Sequence, residues 1–319
     1  MKNDSFKPAW WLPGPHLQTM WPTFSRKRVQ VPLQRERIEL SDGDFVDLDW
    51  SGQSTSQPIA LILHGLEGSA NSPYARGMLA RINQNGWRGV VMHFRGCSGE
   101  PNRMLRAYHS GKTEDVAEVV GILRAREPHT PIVAMGFSLG GNVLLKWLGE
   151  TGNQNPLVAA VAVSVPFELA KSAARLQKGF SRVYQRHLLN SLCEKMKTKA
   201  HLQNTFAGFP DLAALQNIYQ FDTSITAPIH GFESAEDYYE KSSSRQFLKK
   251  ITVPTLLVHA KDDPFMTPEV IPERQELSPS VEIVVTEQGG HVGFIGGGLP
   301  WRPQYWLEER IPEFLSRYV

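Results

Sequence analysis

Six short runs rich in Val, Ile, Leu and Ala, at 59–63, 89–94, 132–136, 158–163, 255–259 and 281–286, constrain the fold of this chain most. Each has the length of a strand and is apolar at nearly every position rather than at every second one, the composition of a strand covered on both faces. Amphipathic stretches separate them. Leu139, Val143, Leu144, Trp147 and Leu148 recur on one helical face, as do Leu307, Ile311, Phe314, Leu315 and Tyr318. This alternation specifies an α/β fold, a mostly parallel twisted sheet with helices on both faces. Ahead of it, 37–40 and 45–50 flank Ser41-Asp42-Gly43-Asp44, a turn composition, and are expected to form an antiparallel hairpin at the sheet edge.

The turn after the third run carries the strongest chemical signal. Gly136-Phe137-Ser138-Leu139-Gly140 follows a strand directly and opens the helical stretch 141–149, the context in which G-x-S-x-G forms a nucleophile elbow. A strand that reverses sharply into a helix strains its apex residue and crowds the backbones beside it, so glycine is needed two residues before and after the serine. Ser138 is thereby presented at a helix N-terminus, where free amides and the helix dipole favour developing negative charge. A purely structural serine is the competing reading. As a nucleophile, Ser138 needs a base, and the base needs an acid to orient it.

Chain order restricts those partners, because at such a turn the serine is followed by Asp or Glu and then by His. Of the ten histidines only His291 lies beyond the last two runs, in Gly289-Gly290-His291-Val292-Gly293, a glycine loop expected to be exposed and mobile. The acid is expected just after the preceding strand, where Ala260-Lys261-Asp262-Asp263-Pro264 offers two carboxylates. Asp263 is preferred for its small-x-x-Asp spacing from Ala260, with Asp262 as the alternative. The amides expected to receive an oxyanion are those of Leu139 and of Leu66, in His64-Gly65-Leu66-Glu67-Gly68 after the first run. His64 precedes the serine and ends a strand, so it is expected to shape this loop rather than act as base.

Strand character vanishes between Pro166 and about Lys250, where Leu169, Leu176, Phe180, Val183, Leu188 and Leu192 give a helical pattern. An insertion here overhangs the carboxyl ends of the strands, the edge at which open α/β sheets bind ligands. The expected division is an aromatic, proline-rich arm over 1–34, a catalytic core over 35–165 and 251–319, and a helical cap over 166–250. Leu169, Leu176, Phe180 and Val183 are expected to line an acyl pocket beneath that cap. Eight Lys or Arg between 168 and 200, against Glu168 and Glu194, read as a solvated outer face, with weak peripheral membrane contact as the lesser reading. In the arm, Phe6, Trp10, Trp11, Leu12, Leu17, Met20, Trp21 and Phe24 are interleaved with Pro8, Pro13, Pro15 and Pro22. An irregular segment packed across the core, without a long helix, is expected, with a dimer contact as the lesser reading.

Composition narrows the function classes. A net charge of +2 without a basic block argues against nucleic-acid binding. Cys97 and Cys193 are far apart and outside any metal-ligand spacing, which fits a reducing compartment and a cytoplasmic protein. The N-terminus, with Lys2, Asp4 and Lys7, does not read as a signal peptide, and no apolar run approaches the ~20 residues of a membrane span. With no dinucleotide fingerprint, P-loop or His/Asp/Glu cluster at ligand spacing, neither cofactor nor metal is expected. The oligomeric state is not specified.

Together, His64-Gly65, the elbow, Asp263-Pro264 and Gly290-His291 resemble the α/β-hydrolase superfamily. Pro15-His16-Leu17-Gln18-Thr19, Arg95-Gly96-Cys97-Ser98-Gly99 and Val165-Pro166-Phe167-Glu168-Leu169 resemble its AB-hydrolase-4 group, from about His16 to the last helix. The resemblance implies the α/β-hydrolase fold, carboxylesterase activity on small-molecule esters of short or medium acyl chains, and a triad of Ser138, Asp263 and His291. Serine rather than aspartate at the elbow points to acyl transfer through an acyl-enzyme. Water as acceptor makes an esterase and an alcohol makes an acyltransferase. The remaining alternative is an interaction protein that keeps the fold without the chemistry, against which three catalytic residue types in the right order argue.

Overall fold

Strands form where the apolar runs lie in the computed structural model, which describes residues 6–26, 29–52, 57–199 and 209–319. Lys2 and Asp4, whose charges weigh against a signal peptide, fall outside the described residues. One sheet contains β1 (Gln34–Glu39), β2 (Phe45–Ser51), β3 (Ile59–Leu63), β4 (Arg88–Met92), β5 (Ile132–Phe137), β6 (Ala159–Val163), β7 (Thr255–Ala260) and β8 (Val281–Thr286). Their spatial order is β1-β2-β4-β3-β5-β6-β7-β8. β2 pairs antiparallel with β1 and with β4, and the remaining pairings are parallel.

The helices are α1 (Pro15–Ser25), α2 (Pro73–Gln84), α3 (Glu114–Arg126), α4 (Leu139–Thr151), α5 (Leu169–Leu176), α6 (Ser181–Thr198), α7 (Ile218–Phe221), α8 (Ala227–His230), α9 (Ala235–Ser242) and α10 (Trp306–Leu315). Strand pleating divides the core between two faces. Along β3, Ile59, Leu61 and Leu63 join a cluster with Val119 of α3 and Leu144 of α4, whereas Ala60 and Ile62 join one with Leu79 of α2 and Ile311 of α10. Each fully buried aliphatic side chain contributes about 1.5–3 kcal/mol, so these two layers dominate the stability. At the edge, burial on both faces fails for β8, the last strand of the sheet, where Val285 is 37 % exposed.

Two expectations need correction, and one element carries no signal in the sequence. The arm contains an 11-residue helix, α1, despite its prolines. Pro15 opens it, where a missing N–H costs nothing, and Pro22 lies inside it. The basic stretch is not uniformly an outer face. Lys199 is fully buried and its Nζ donates to the carbonyls of Met104, Leu105 and Arg106, with burial bringing its pKa down to about 8. Lys195 reaches inward to Glu67. Long aliphatic stems let both ammonium groups span from α6 and its C-terminal turn to loops of the core. Finally, β9 (Ile295–Leu299) and β10 (Arg302–Tyr305) form a small antiparallel hairpin after β8, where Gly296, Gly297 and Gly298 hide any strand alternation. Among the described residues, no helix is long and apolar enough to cross a membrane.

Candidate active site

From β3 the chain moves outward to β4 and then returns to the opposite side of β3 as β5. The carboxyl ends of β3 and β5 therefore lie side by side at a topological switch point, the crevice where open α/β sheets bind ligands. Ser138 follows β5 there, with φ 52° and ψ −119°, a conformation sparsely populated by residues other than glycine. Its N–H donates to Val163 O at 2.9 Å, which fixes the bend. A Cβ on Gly140 would lie 2.4 Å from Leu63 O, and one on Gly136 would lie 2.5 Å from Gly140 O. The close approach of β3, β5 and α4 thus requires both glycines.

After β8 comes His291, whose Nδ1 lies 2.9 Å from Asp263 Oδ2 and 3.2 Å from Oδ1. The carboxylate is itself fixed, because Asp263 is buried and its Oδ1 accepts the Phe265 N–H at 2.8 Å. Phe265 also stacks on the imidazole, with centroids 4.0 Å apart and planes within 4°. The neighbouring Asp262 points to a different partner and accepts the Gly290 N–H at 2.9 Å. Burial raises its pKa. With Nδ1 held by Asp263, Nε2 is the nitrogen left for chemistry, and His291 and Ser138 line the same cavity.

Leu66 and Leu139 line that cavity as well. The amides flanking Leu66 are occupied: Gly65 N–H donates to Tyr74 OH and Glu67 N–H to Tyr108 OH, each at 2.8 Å. The Leu66 amide has no acceptor among the described residues. Leu139 begins α4, where an amide lacks an intrahelical acceptor. His64 is fully buried with both nitrogens engaged, Nε2 accepting the Phe94 N–H and Nδ1 donating to Gly65 O. Burial lowers its pKa to about 3, so it is a neutral loop support.

The loop bearing His291 is neither exposed nor loose, contrary to its glycine-rich composition. The His291 side chain is 9 % exposed, and α1 clamps the backbone on both sides of it. Thr19 Oγ1 accepts the His291 N–H at 2.9 Å, while the Gln18 amide exchanges two hydrogen bonds with the Ile295 backbone, at 2.7 and 3.0 Å. Ser164, after β6, accepts the Val292 N–H at 3.1 Å. A Cβ on Gly293 would lie 2.4 Å from Gln18 O. Pro22, four residues beyond Gln18, has no N–H to offer that carbonyl. The Pro15–Thr19 motif was visible in the sequence, but its role as a clamp depends on a contact between chain ends. Replacing Gln18 by Leu would leave the Ile295 N–H and C=O unpaired in a buried place, so unfolding free energy in urea should fall by about 1–3 kcal/mol or more. An unchanged unfolding midpoint would show that the clamp contributes nothing.

The cavity has a volume of about 370 Å3, within the roughly 300–1,000 Å3 typical of small-molecule sites. Leu169, Leu176, Leu188, Leu192 and Ile225 give it an apolar roof from the segment between β6 and β7. Phe180 and Val183 do not contribute to the lining as expected. They are 47 % and 55 % exposed, and Phe180 packs against His16 of α1 on the outside. On the wall, Lys195 Nζ lies 2.7 Å from Glu67 Oε1 and 2.9 Å from Cys97 Sγ.

Comparison with known proteins agrees with this architecture. Residues 58–298 match the alpha/beta hydrolase fold family. "Putative esterase YheT" of Escherichia coli is 50% identical over 315 residues, covering 95% of this chain and 91% of that protein. "Phospholipase ABHD3" of Mus musculus is 30% identical over 327 residues, covering 99% of this chain and 79% of that protein. Among solved structures, the Pyrococcus furiosus esterase PF2001 superposes with a TM-score of 0.60 at 20% identity, covering 92% of this chain and 94% of that one, a likeness of fold. With the parallel sheet, the strained serine turn and half-identity to a full-length relative all in agreement, this chain belongs to the alpha/beta hydrolase fold family.

Proposed function

We propose that this protein hydrolyses carboxylic esters of short or medium acyl chains through a Ser138–His291–Asp263 triad. The observation that carries the reading is the convergence of Ser138 and an Asp263-bound His291 on one apolar cavity. His291 Nε2 takes the proton from Ser138 Oγ as that oxygen attacks the ester carbonyl carbon, while Asp263 stabilises the imidazolium and holds its orientation. The Leu66 and Leu139 amides receive the oxyanion, a contribution of about 3–4 kcal/mol per donor in comparable sites. The proton on His291 then passes to the leaving alcohol. Water, deprotonated by the same imidazole, attacks the acyl-enzyme, and the acid is released as the bond to Ser138 Oγ breaks and His291 returns the proton to that oxygen. Names carried by the relatives, esterase and phospholipase, fit acyl-ester cleavage.

The segment 166–250 acts as a cap in this reading, its leucines receiving the acyl chain. Each methylene that enters such a lining gains up to ~0.8 kcal/mol, about fourfold, until the space is filled. For nitrophenyl esters from C2 to C16, kcat/KM should rise from acetate to a medium-chain maximum and then fall. A maximum at C2 with steady decline would remove the acyl-binding role of the cap.

A further inference from the structure

We propose that His109 and His230 form a hydroxyl-binding subsite in the wall of this cavity, so that the preferred ester carries a free hydroxyl group. The proposal rests on the serine-esterase reading and specifies its substrate class. Both histidines line the cavity that contains Ser138. They come from separate parts of the chain, His109 from the loop between β4 and α3 and His230 from the end of α8, and their rings meet with centroids 4.5 Å apart and planes tilted by 56°.

Hydrogen bonding sets their polarity. The Gly111 N–H donates to His109 Nδ1 at 3.1 Å. An imidazole nitrogen that accepts carries no proton, so the neutral ring bears its N–H on Nε2. His230 is half-buried, and neither of its nitrogens has a hydrogen-bond partner among the described residues. Burial lowers the pKa of both rings, that of His109 to about 3, so both are neutral at physiological pH. The pair therefore presents a fixed donor beside a ring that offers both a donor and an acceptor.

A hydroxyl group, which donates and accepts at once, matches that pair, whereas an ether or carbonyl oxygen uses only the donors. Phe232 and Tyr238 pack edge-on around His109, giving the polar pair an apolar collar. Charged groups elsewhere on the lining are already matched: Lys195 pairs with Glu67, and Asp222 accepts from Thr226 and Tyr239 at 2.7 Å each. The charges that act on the pair itself, those of Arg106 and Lys112 on both rings, are cationic, so an ammonium group is repelled there and a neutral hydroxyl stays complementary.

The hydroxyl can sit on the alcohol side or the acyl side of the ester, and two matched pairs separate these cases. Glycerol monobutyrate is compared with propyl butyrate, and ethyl 6-hydroxyhexanoate with ethyl hexanoate, for wild type, His109→Phe, His230→Phe and the amide variants His109→Gln and His230→Gln. Wild type should favour the hydroxylated member of one pair. Its kcat/KM ratio should fall by roughly five- to tenfold in each Phe variant and recover at least partly in a Gln variant, which restores donor and acceptor atoms. Ratios that stay within twofold in both pairs would overturn the subsite, whatever happens to absolute rates. Ser138→Ala tests the underlying reading separately: persistence of hydrolysis in that variant sinks the serine mechanism, whereas loss of hydrolysis with unchanged ratios in the histidine variants sinks only the subsite.

Discussion

Ser138→Ala is expected to lower ester hydrolysis by roughly five to six orders of magnitude and to abolish covalent labelling by a fluorophosphonate probe. The oxygen that forms the acyl-enzyme in the proposed mechanism is removed, while the alanine Cβ fits the space already taken by the serine Cβ, so folding is not the limiting variable. His291→Ala should also abolish labelling, because the serine hydroxyl then lacks its base. The two effects should not add when combined, since residues that act as a unit lose their function together. Labelling that survives Ser138→Ala would move the nucleophile elsewhere.

The second large effect separates two neighbouring carboxylates. Asp263→Asn should lower kcat by about 10⁴. Its amide can donate to Nδ1, which leaves the proton of the neutral imidazole on Nε2 and turns the base into a donor facing Ser138. Asp262→Asn keeps an oxygen acceptor for the Gly290 N–H and makes no contact with the ring, so its loss should stay within about tenfold. A crippling Asp262→Asn beside a mild Asp263→Asn would reverse the assignment. Circular dichroism and unfolding midpoints of both variants distinguish loss of chemistry from loss of fold.

Local chemistry was the legible part of this protein. Strand positions followed from apolar runs because burial on both faces leaves no polar alternation, and the strands of the parallel core begin and end close to those runs. The edges were less legible: β8 is only partly buried along its length, and the glycines of β9 carry no pattern of faces. The serine turn was readable because its constraints lie within five residues, where the close approach of Gly140 to Leu63 O and of Gly136 to α4 admits no Cβ.

What the sequence by itself determined was therefore the order of strands and helices and the short motifs placed at the strands' carboxyl ends, since each depends on residues adjacent along the chain. Tertiary structure decided the rest, because the relevant partners are remote in sequence. Asp262 and Asp263 are identical in type, yet one meets a loop amide and the other an imidazole. A glycine loop that reads as mobile is held by Thr19 and Gln18 from the opposite end of the chain. Two lysines that read as solvated reach acceptors more than 90 residues away. His109 and His230, 121 positions apart in the chain, meet only when packing brings their rings together. Periodicity reports which side of an element is buried; it carries no information about which distant polar group waits there.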